Sequence, residues 1–226
     1  MEDGKVMNKL DVLYEDNHII VVNKPCNILS QSDCTGDLDM LTMVKEYVKE
    51  KYHKPGNVYI GLVHRLDRPV SGIMVFARTS KAASRLSEQI RLGKIHKTYI
   101  AVIHSILEED RGIFQDYLKR DAEGYSYVTS KEQGKYAELH YKVLGRNSLK
   151  NETLVEIDLK TGRHHQIRVQ FSSRGYPLCG DQRYGKIDYT QIALCSYKLS
   201  FIHPVSKKKL FFQIDIPSGT YWDDFK

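Results

Sequence analysis

Residues 58–78 run VYIGLVHRLDRPVSGIMVFAR, so that two apolar stretches, 58–64 and 72–78, enclose a short charged turn. Apolar and β-branched residues on either side of a turn marked by Pro69 and Gly72 predict two strands. The turn sets one carboxylate, Asp67, between the guanidinium groups of Arg65 and Arg68. Opposite charge on both sides favours the ionised acid, which suits a nucleophile or a base. The plainer account is a surface salt bridge in a β-turn.

Upstream of this stretch, periodicity predicts strands over 11–14 and 18–23, joined by Glu15-Asp16-Asn17 and ended by Pro25. A helix is predicted over 38–52, where Leu38, Leu41, Val44, Tyr47 and Val48 keep a 3–4 spacing and Asp37 can cap. Downstream, Ser80 can cap a helix over 81–91 closed by Gly93, and a strand returns over 97–104. Strands are predicted at 125–129, 137–143 and 153–159, then a hairpin of 193–201 with 209–216 around His203-Pro204-Val205-Ser206. Strands outnumber helices and rarely alternate with them. The expected class is therefore α+β: one catalytic domain over 11–226, a mixed, largely antiparallel central sheet flanked by helices, after a short extension at 1–10.

Composition narrows the function. The longest apolar runs, Ile19-Ile20-Val21-Val22 and Ile73-Met74-Val75-Phe76-Ala77, fall far short of the roughly 18 residues of a membrane helix, so no membrane span is expected. Residues 1–9 carry two acids and no apolar run, which argues against a secretory signal and for a cytoplasmic protein. Cys26, Cys34, Cys179 and Cys195 form no CxxC pair, so neither a zinc cage nor a redox motif is suggested. The net charge of +6 is focused. Residues 64–99 hold eight Lys/Arg against Asp67 and Glu88, and residues 160–209 hold ten against Asp181 and Asp188. Brought to one face, these stretches would make the electropositive surface that a phosphate backbone requires; kept apart, they are two solvated faces.

A second charged segment, Lys160-Thr161-Gly162-Arg163-His164-His165-Gln166-Ile167-Arg168, directly follows a predicted strand and can open a helix with Thr161 as its cap. Its two histidines make a poor metal site, because neighbours on a helix diverge and no third ligand lies at helical spacing.

His64-Arg65-Leu66-Asp67 with Ser71-Gly72, then Lys97-Thr98-Tyr99-Ile100-Ala101, then Thr161 to Arg168, with Gly180-Asp181 and Tyr184-Gly185 beyond, closely resemble the RluA-type RNA pseudouridine synthases. Val21-Val22-Asn23-Lys24-Pro25 is similar to that family's first motif, and the matches follow the family's order over roughly residues 11 to 217. The resemblance implies an enzyme that breaks the N-glycosidic bond of a uridine in structured RNA, rotates the base and rejoins it through C5. It implies Asp67 as nucleophile or base, Tyr99 against the target base, and Arg168 paired with Asp67. Arg65 would take the place of the flipped base, with His64, Arg68, Arg163 and His165 as further RNA contacts. It implies an rRNA or tRNA stem-loop as partner. A redox-neutral isomerisation, with no nucleotide-cradling glycine loop and no ligand cluster in the sequence, predicts no metal and no cofactor. A monomer is expected, and because the first motif comes almost at once, so is the absence of the accessory S4-like N-terminal domain that many relatives carry. Val70 stands where the family has Thr, Cys26-Asn27 where Gly follows Lys-Pro, and Gln31 and Gln170 where His is common. Two other readings compete: a binding module using aromatics such as Tyr184, Tyr189 and Tyr197, and a phosphodiester hydrolase using His64, His164 or His165.

Overall fold

The computed structural model describes residues 10–185 and 191–226; Tyr189 and nearly all of the 1–10 extension lie outside the described residues. In chain order the elements are β1 (Asp11–Glu15), β2 (Ile19–Lys24), α1 (Met40–Lys51), β3 (Gly61–Leu62), β4 (Ser71–Ala77), α2 (Ser80–Arg91) and β5 (His96–His104). Then follow β6 (Arg111–Arg120), β7 (Ser126–Thr129), β8 (Lys135–Asn147), β9 (Glu152–Leu159), α3 (Gln166–Ser172), β10 (Leu194–Ile202) and β11 (Lys209–Gln213). The strands form one sheet in the order β1-β2-β4-β10-β5-β9-β8-β6-β7, with β3 also on β4 and β11 also on β10. All pairings are antiparallel except β4 with β10, so the sheet is mixed but largely antiparallel, as its α+β pattern predicts.

The two apolar runs too short for a membrane are β2 and β4, and they are apolar on every residue because both faces of the sheet are covered there. Ile20, Val22, Met74 and Phe76 pack on one side with Met40, Val44 and Val48 of α1. Ile19, Val21, Ile73, Val75 and Ala77 face the other side, against Ala82 and Leu86 of α2. Successive side chains of a strand point to opposite faces, so double burial requires an unbroken apolar run. No helix among the described residues is long and apolar enough to cross a membrane.

Local departures from the sequence reading have local causes. Asp39, not Asp37, caps α1: its carboxylate accepts Thr42 N–H at 3.0 Å and Thr42 Oγ1–H at 2.7 Å. Thr79, not Ser80, caps α2, accepting Ala82 N–H at 3.1 Å. In both places two neighbouring side chains can cap, and the one chosen has extended backbone. The strand predicted over 58–64 shrinks to Gly61–Leu62, because β10 takes the other end of the same β4 edge at Ser71 and Gly72. Gly72 is required at that junction. It lies at φ +117°, and a Cβ there would sit 2.4 Å from the Ser196 carbonyl oxygen. Finally, β6 has no counterpart among the predicted strands, because only Phe114 and Leu118 of its ten residues are buried, too few to set a period.

Candidate active site

Asp67 sits in the turn between β3 and β4, and that turn is fastened through its backbone. Val70 N–H closes it on the Asp67 carbonyl at 3.0 Å. Leu66 and Val70 on either side are buried in the core, which explains why valine serves at position 70. Ser30 Oγ donates to the Leu66 carbonyl at 2.6 Å and accepts Leu66 N–H at 3.0 Å. Beneath it Lys24, fully buried, donates from Nζ to the carbonyls of Pro25 (3.0 Å), Arg68 (3.0 Å) and Val70 (2.7 Å). Burial lowers the Lys24 ammonium to about 8, with the Asp67 charge pulling the other way. Asn27 occupies the left-handed region at φ 63°, a conformation Asn tolerates better than most residues, so the absent glycine costs little.

His64 lines the wall of the site, but its imidazole belongs to the sheet. Its Nε2 accepts Val75 N–H at 3.0 Å, filling the rung of β4 that lies between the β3 and β10 pairings. An accepting nitrogen carries no proton, and burial lowers His64 to about 3. It therefore brings no positive charge to RNA.

The segment 160–168 is not capped by Thr161. Helix α3 begins only at Gln166, preceded by His165 at φ 52°. Thr161 Oγ1 instead accepts Glu138 N–H at 2.8 Å and pairs with Gln166 Oε1 at 2.8 Å, tying the loop to β8. Because His164 and His165 lie ahead of the helix they do not diverge: their rings stack at 3.7 Å. His165 Nδ1 lies 2.8 Å from Tyr184 Oη, and its Nε2 is 3.4 Å from Asp67 Oδ2. Burial, then the Arg168 charge, lowers His165 to about 2, so the ring is neutral. Gln170, where histidine is common, is wholly buried and donates to Phe114 O at 3.2 Å and Asp116 Oδ2 at 2.7 Å.

Arg168 meets Asp67, yet its main partner is Asp181. Its Nε and Nη2 donate to the two Asp181 oxygens at 2.8 and 2.7 Å, a bidentate pair with both side chains buried. Its Nη1 reaches Asp67 Oδ2 at 3.3 Å. Burial opposes the Arg168 charge, and the hydrogen bonds and charge of Asp181 together with Asp67 more than restore it. Asp181 also accepts Arg183 and Tyr184 N–H at 3.0 and 3.1 Å, so it is saturated. Asp67 is not: among the described residues its Oδ1 accepts no hydrogen bond, and its side chain is 31% exposed.

Two clefts of about 820 and 790 Å³ meet on a ridge of Arg65, Leu66, Asp67, His164, His165 and Arg168. Tyr99, on β5, lines the second cleft, where burial and then the nearby Asp67 charge raise its hydroxyl well above the usual range. Arg65 is exposed and makes no hydrogen bond or ion pair with the described residues. Arg68 pairs with Asp37 at 2.7 Å in solvent, and exposed Arg163 donates to Tyr136 O at 2.8 Å. Residues distant in the chain, 65–67, 99 and 163–168, are thus brought to one place. The roles of Asp181 and Lys24 are not legible in the sequence, since neither spacing nor periodicity says whom a buried charge will face.

The chain belongs to the RNA pseudouridylate synthase family, whose model matches residues 18–173. It is 33% identical over 214 residues to "Uncharacterized RNA pseudouridine synthase YhcT" of Bacillus subtilis, covering 93% of this chain and 70% of that one. It is 32% identical to the ribosomal large subunit pseudouridine synthase C of Buchnera aphidicola subsp. Acyrthosiphon pisum, covering 93% and 69%. It is likewise 32% identical to the ribosomal large subunit pseudouridine synthase D of Zymomonas mobilis, covering 92% and 69%. The human RNA pseudouridylate synthase domain containing 4 shares the fold, with a TM-score of 0.77 at 21% identity, over 92% of this chain and 88% of that one. The protein is an isomerase that converts uridine to pseudouridine in RNA.

Proposed function

We propose that the protein isomerises a particular uridine in structured ribosomal RNA, by flipping the base into the second cleft and cleaving its glycosidic bond with the help of Asp67. The observation that carries this reading is the position of Asp67. It is held by backbone bonds on the ridge between two clefts, with one oxygen uncommitted. That oxygen can attack the ribose or remove a proton, and Arg168 and neutral His165 orient the other. The N1–C1′ bond breaks, a C5–C1′ bond forms, and a proton leaves C5 while N1 gains one. Atoms and electrons balance without a redox partner, so the isomerisation calls for no redox cofactor.

Tyr99 offers the freed uracil an aromatic face, and its high-lying hydroxyl stays protonated there as a donor. Arg65, exposed beside Asp67, is free to enter the space the base vacates and restore stacking. Arg68 and Arg163 stand at the cleft mouths for phosphates, and the domain acts as a monomer. The relatives named for the large ribosomal subunit support ribosomal RNA over transfer RNA, and an enzyme acting on that substrate in the cytoplasm is the reading they favour. Neutral His64 and His165 lend no support to a phosphodiester hydrolase that needs an imidazolium acid.

Pseudouridine mapping of total RNA from cells with and without the protein tests the proposal. One or a few rRNA positions should disappear from the map on deletion and return with the wild-type chain but not with Asp67→Asn. Unchanged rRNA with a missing tRNA position would move the substrate; shortened RNA would overturn isomerisation.

A further inference from the structure

At the end of β5 far from Tyr99 the described residues hold a second convergence of reactive side chains. His104 and Tyr99 lie five residues apart on that strand, about 17 Å at the usual strand rise. His104 is the direct cross-strand partner of Glu152, the first residue of β9. Cys179 comes alongside through the segment that follows α3, its N–H bonded to the Val102 carbonyl at 2.9 Å. One nitrogen, one oxygen and one sulfur donor thus lie within 4.8 Å of one another.

We propose that His104, Glu152 and Cys179 form a binding site for one divalent transition-metal ion of the zinc class. Tetrahedral zinc holds N, O and S donors at about 2.0–2.3 Å, which sets neighbouring donors roughly 3.5 Å apart. Cys179 Sγ is already 3.8 Å from Glu152 Oε1, and with every donor pair inside 4.8 Å, closing the site asks for about an ångström at most. Backbone pairing fixes all three donors, so little chain entropy is lost on binding.

The independent observation is Glu152 itself. Its carboxylate is 5% exposed, and Oε2 is the buried side-chain atom that has no hydrogen-bond partner among the described residues. A buried carboxylate oxygen left unmet costs free energy that a hydrogen bond or a cation recovers. The nearby ammonium of Lys150 does not supply it, being bonded to Asp224 Oδ2 at 2.5 Å. A dication between carboxylate, thiolate and imidazole leaves the site close to neutral. Binding forms the S–metal bond and releases the thiol proton to solvent. The donor set selects metal: sulfur with imidazole and one carboxylate suits zinc or cobalt, and magnesium poorly. The role is structural, stitching β5, β9 and the chain after α3 at a distance from the reaction.

The whole chain, stripped by chelator and dialysed, should take up one equivalent of Zn²⁺ in competition with a chromophoric chelator, and its Tm should rise by about 5 °C or more at saturating ion. Co²⁺ should give tetrahedral ligand-field bands and a sulfur-to-metal charge-transfer band. Cys179→Ser should abolish the charge-transfer band, and Glu152→Gln should weaken binding at least tenfold, while Cys34→Ser, an exposed thiol elsewhere, changes neither. Uptake well below one equivalent by the folded wild-type chain overturns the proposal and leaves the cluster as a charge contact between His104 and Glu152. So does cobalt binding that Cys34→Ser removes, or that both site variants leave unaltered. The wild-type measurement decides the question even if a variant fails to fold, and none of these readings depends on isomerase activity.

Discussion

The two loops that build the active site are fixed by opposite means. The 64–72 turn is held by its backbone: Lys24, Ser30 and His64 all bond to main-chain groups, and the one reactive side chain keeps an oxygen free. The 160–168 segment is tied to β8 at its start by Lys160 and Thr161 N–H bonds to the Glu138 carbonyl, but the end that faces Asp67 is held by a side chain, with Arg168 locked to Asp181. A reagent must be placed without being consumed by its own neighbours, whereas a group that only orients can be fully satisfied. Substitutions in the two loops should therefore separate activity from stability.

The largest expected effect is that of Asp67→Asn. The amide still reaches Arg168 but neither attacks nor takes a proton, so product formation should fall by about 10⁴-fold or more. Urea unfolding should shift by less than about 1 kcal/mol, because a partly exposed contact at 3.3 Å is lost. RNA binding should be retained or slightly tightened. Residual isomerisation near the wild-type level would return Asp67 to the role of a surface salt bridge.

Asp181→Asn inverts the pattern. It uncouples a buried bidentate pair and leaves Arg168 under-compensated, for about 3 kcal/mol of lost stability. The freed guanidinium then turns toward Asp67, so turnover should also drop, by about 10²-fold, with substrate binding less affected. If Asp181→Asn were as stable as the wild type, the side-chain half of the comparison would be wrong.

Arg65→Ala should leave stability untouched, since Arg65 bonds to nothing described. Turnover on a folded RNA fragment should fall about tenfold, the value of one lost stacking contact, and by less on a short single-stranded analogue. Equal losses on both would assign Arg65 to bond breaking instead.

The smallest effect concerns pH. His64 and His165 are lowered in the fold to about 3 and about 2, whereas the unfolded chain titrates near 6.5. Below pH 6.5 the unfolded chain takes up protons that the folded chain refuses. This contribution is thus complete above pH 6.5 and is lost as pH falls toward 3, at up to about 1.4 kcal/mol per pH unit for each histidine. Urea midpoints between pH 7 and 5.5 should show the decline, and His64→Gln, which can still accept Val75 N–H, should flatten it. An unchanged slope would mean that His64 is charged in the fold.

Much of this was legible in the residues alone. The doubly buried strands β2 and β4 announce themselves as unbroken apolar runs, α1 as a 3–4 period, and the end of α2 by Gly93, which takes φ +65°. The clustering of Asp67, Tyr99 and Arg168 followed from a family resemblance carried by ordered motifs, and the clefts bring those residues together. Such features are visible because burial and capping are decided within one element or one short turn.

What only the tertiary structure decided are choices among partners far apart in the chain. The sequence places Arg168 opposite Asp67, but thirteen residues on Asp181 offers two oxygens and the deeper burial, and takes the stronger bonds. His64 was assigned to RNA, yet a gap in the β4 ladder needed an acceptor, and the imidazole supplies it. Strand β6 shows only Phe114 and Leu118 to the interior, and its identity comes from pairing with β7 and β8. His104, Glu152 and Cys179 have no common motif, and meet because β5, β9 and the chain after α3 end side by side. Hydrophobic period is a property of one segment, whereas the partner of a buried charge or of an open hydrogen bond is a property of all the segments that surround it.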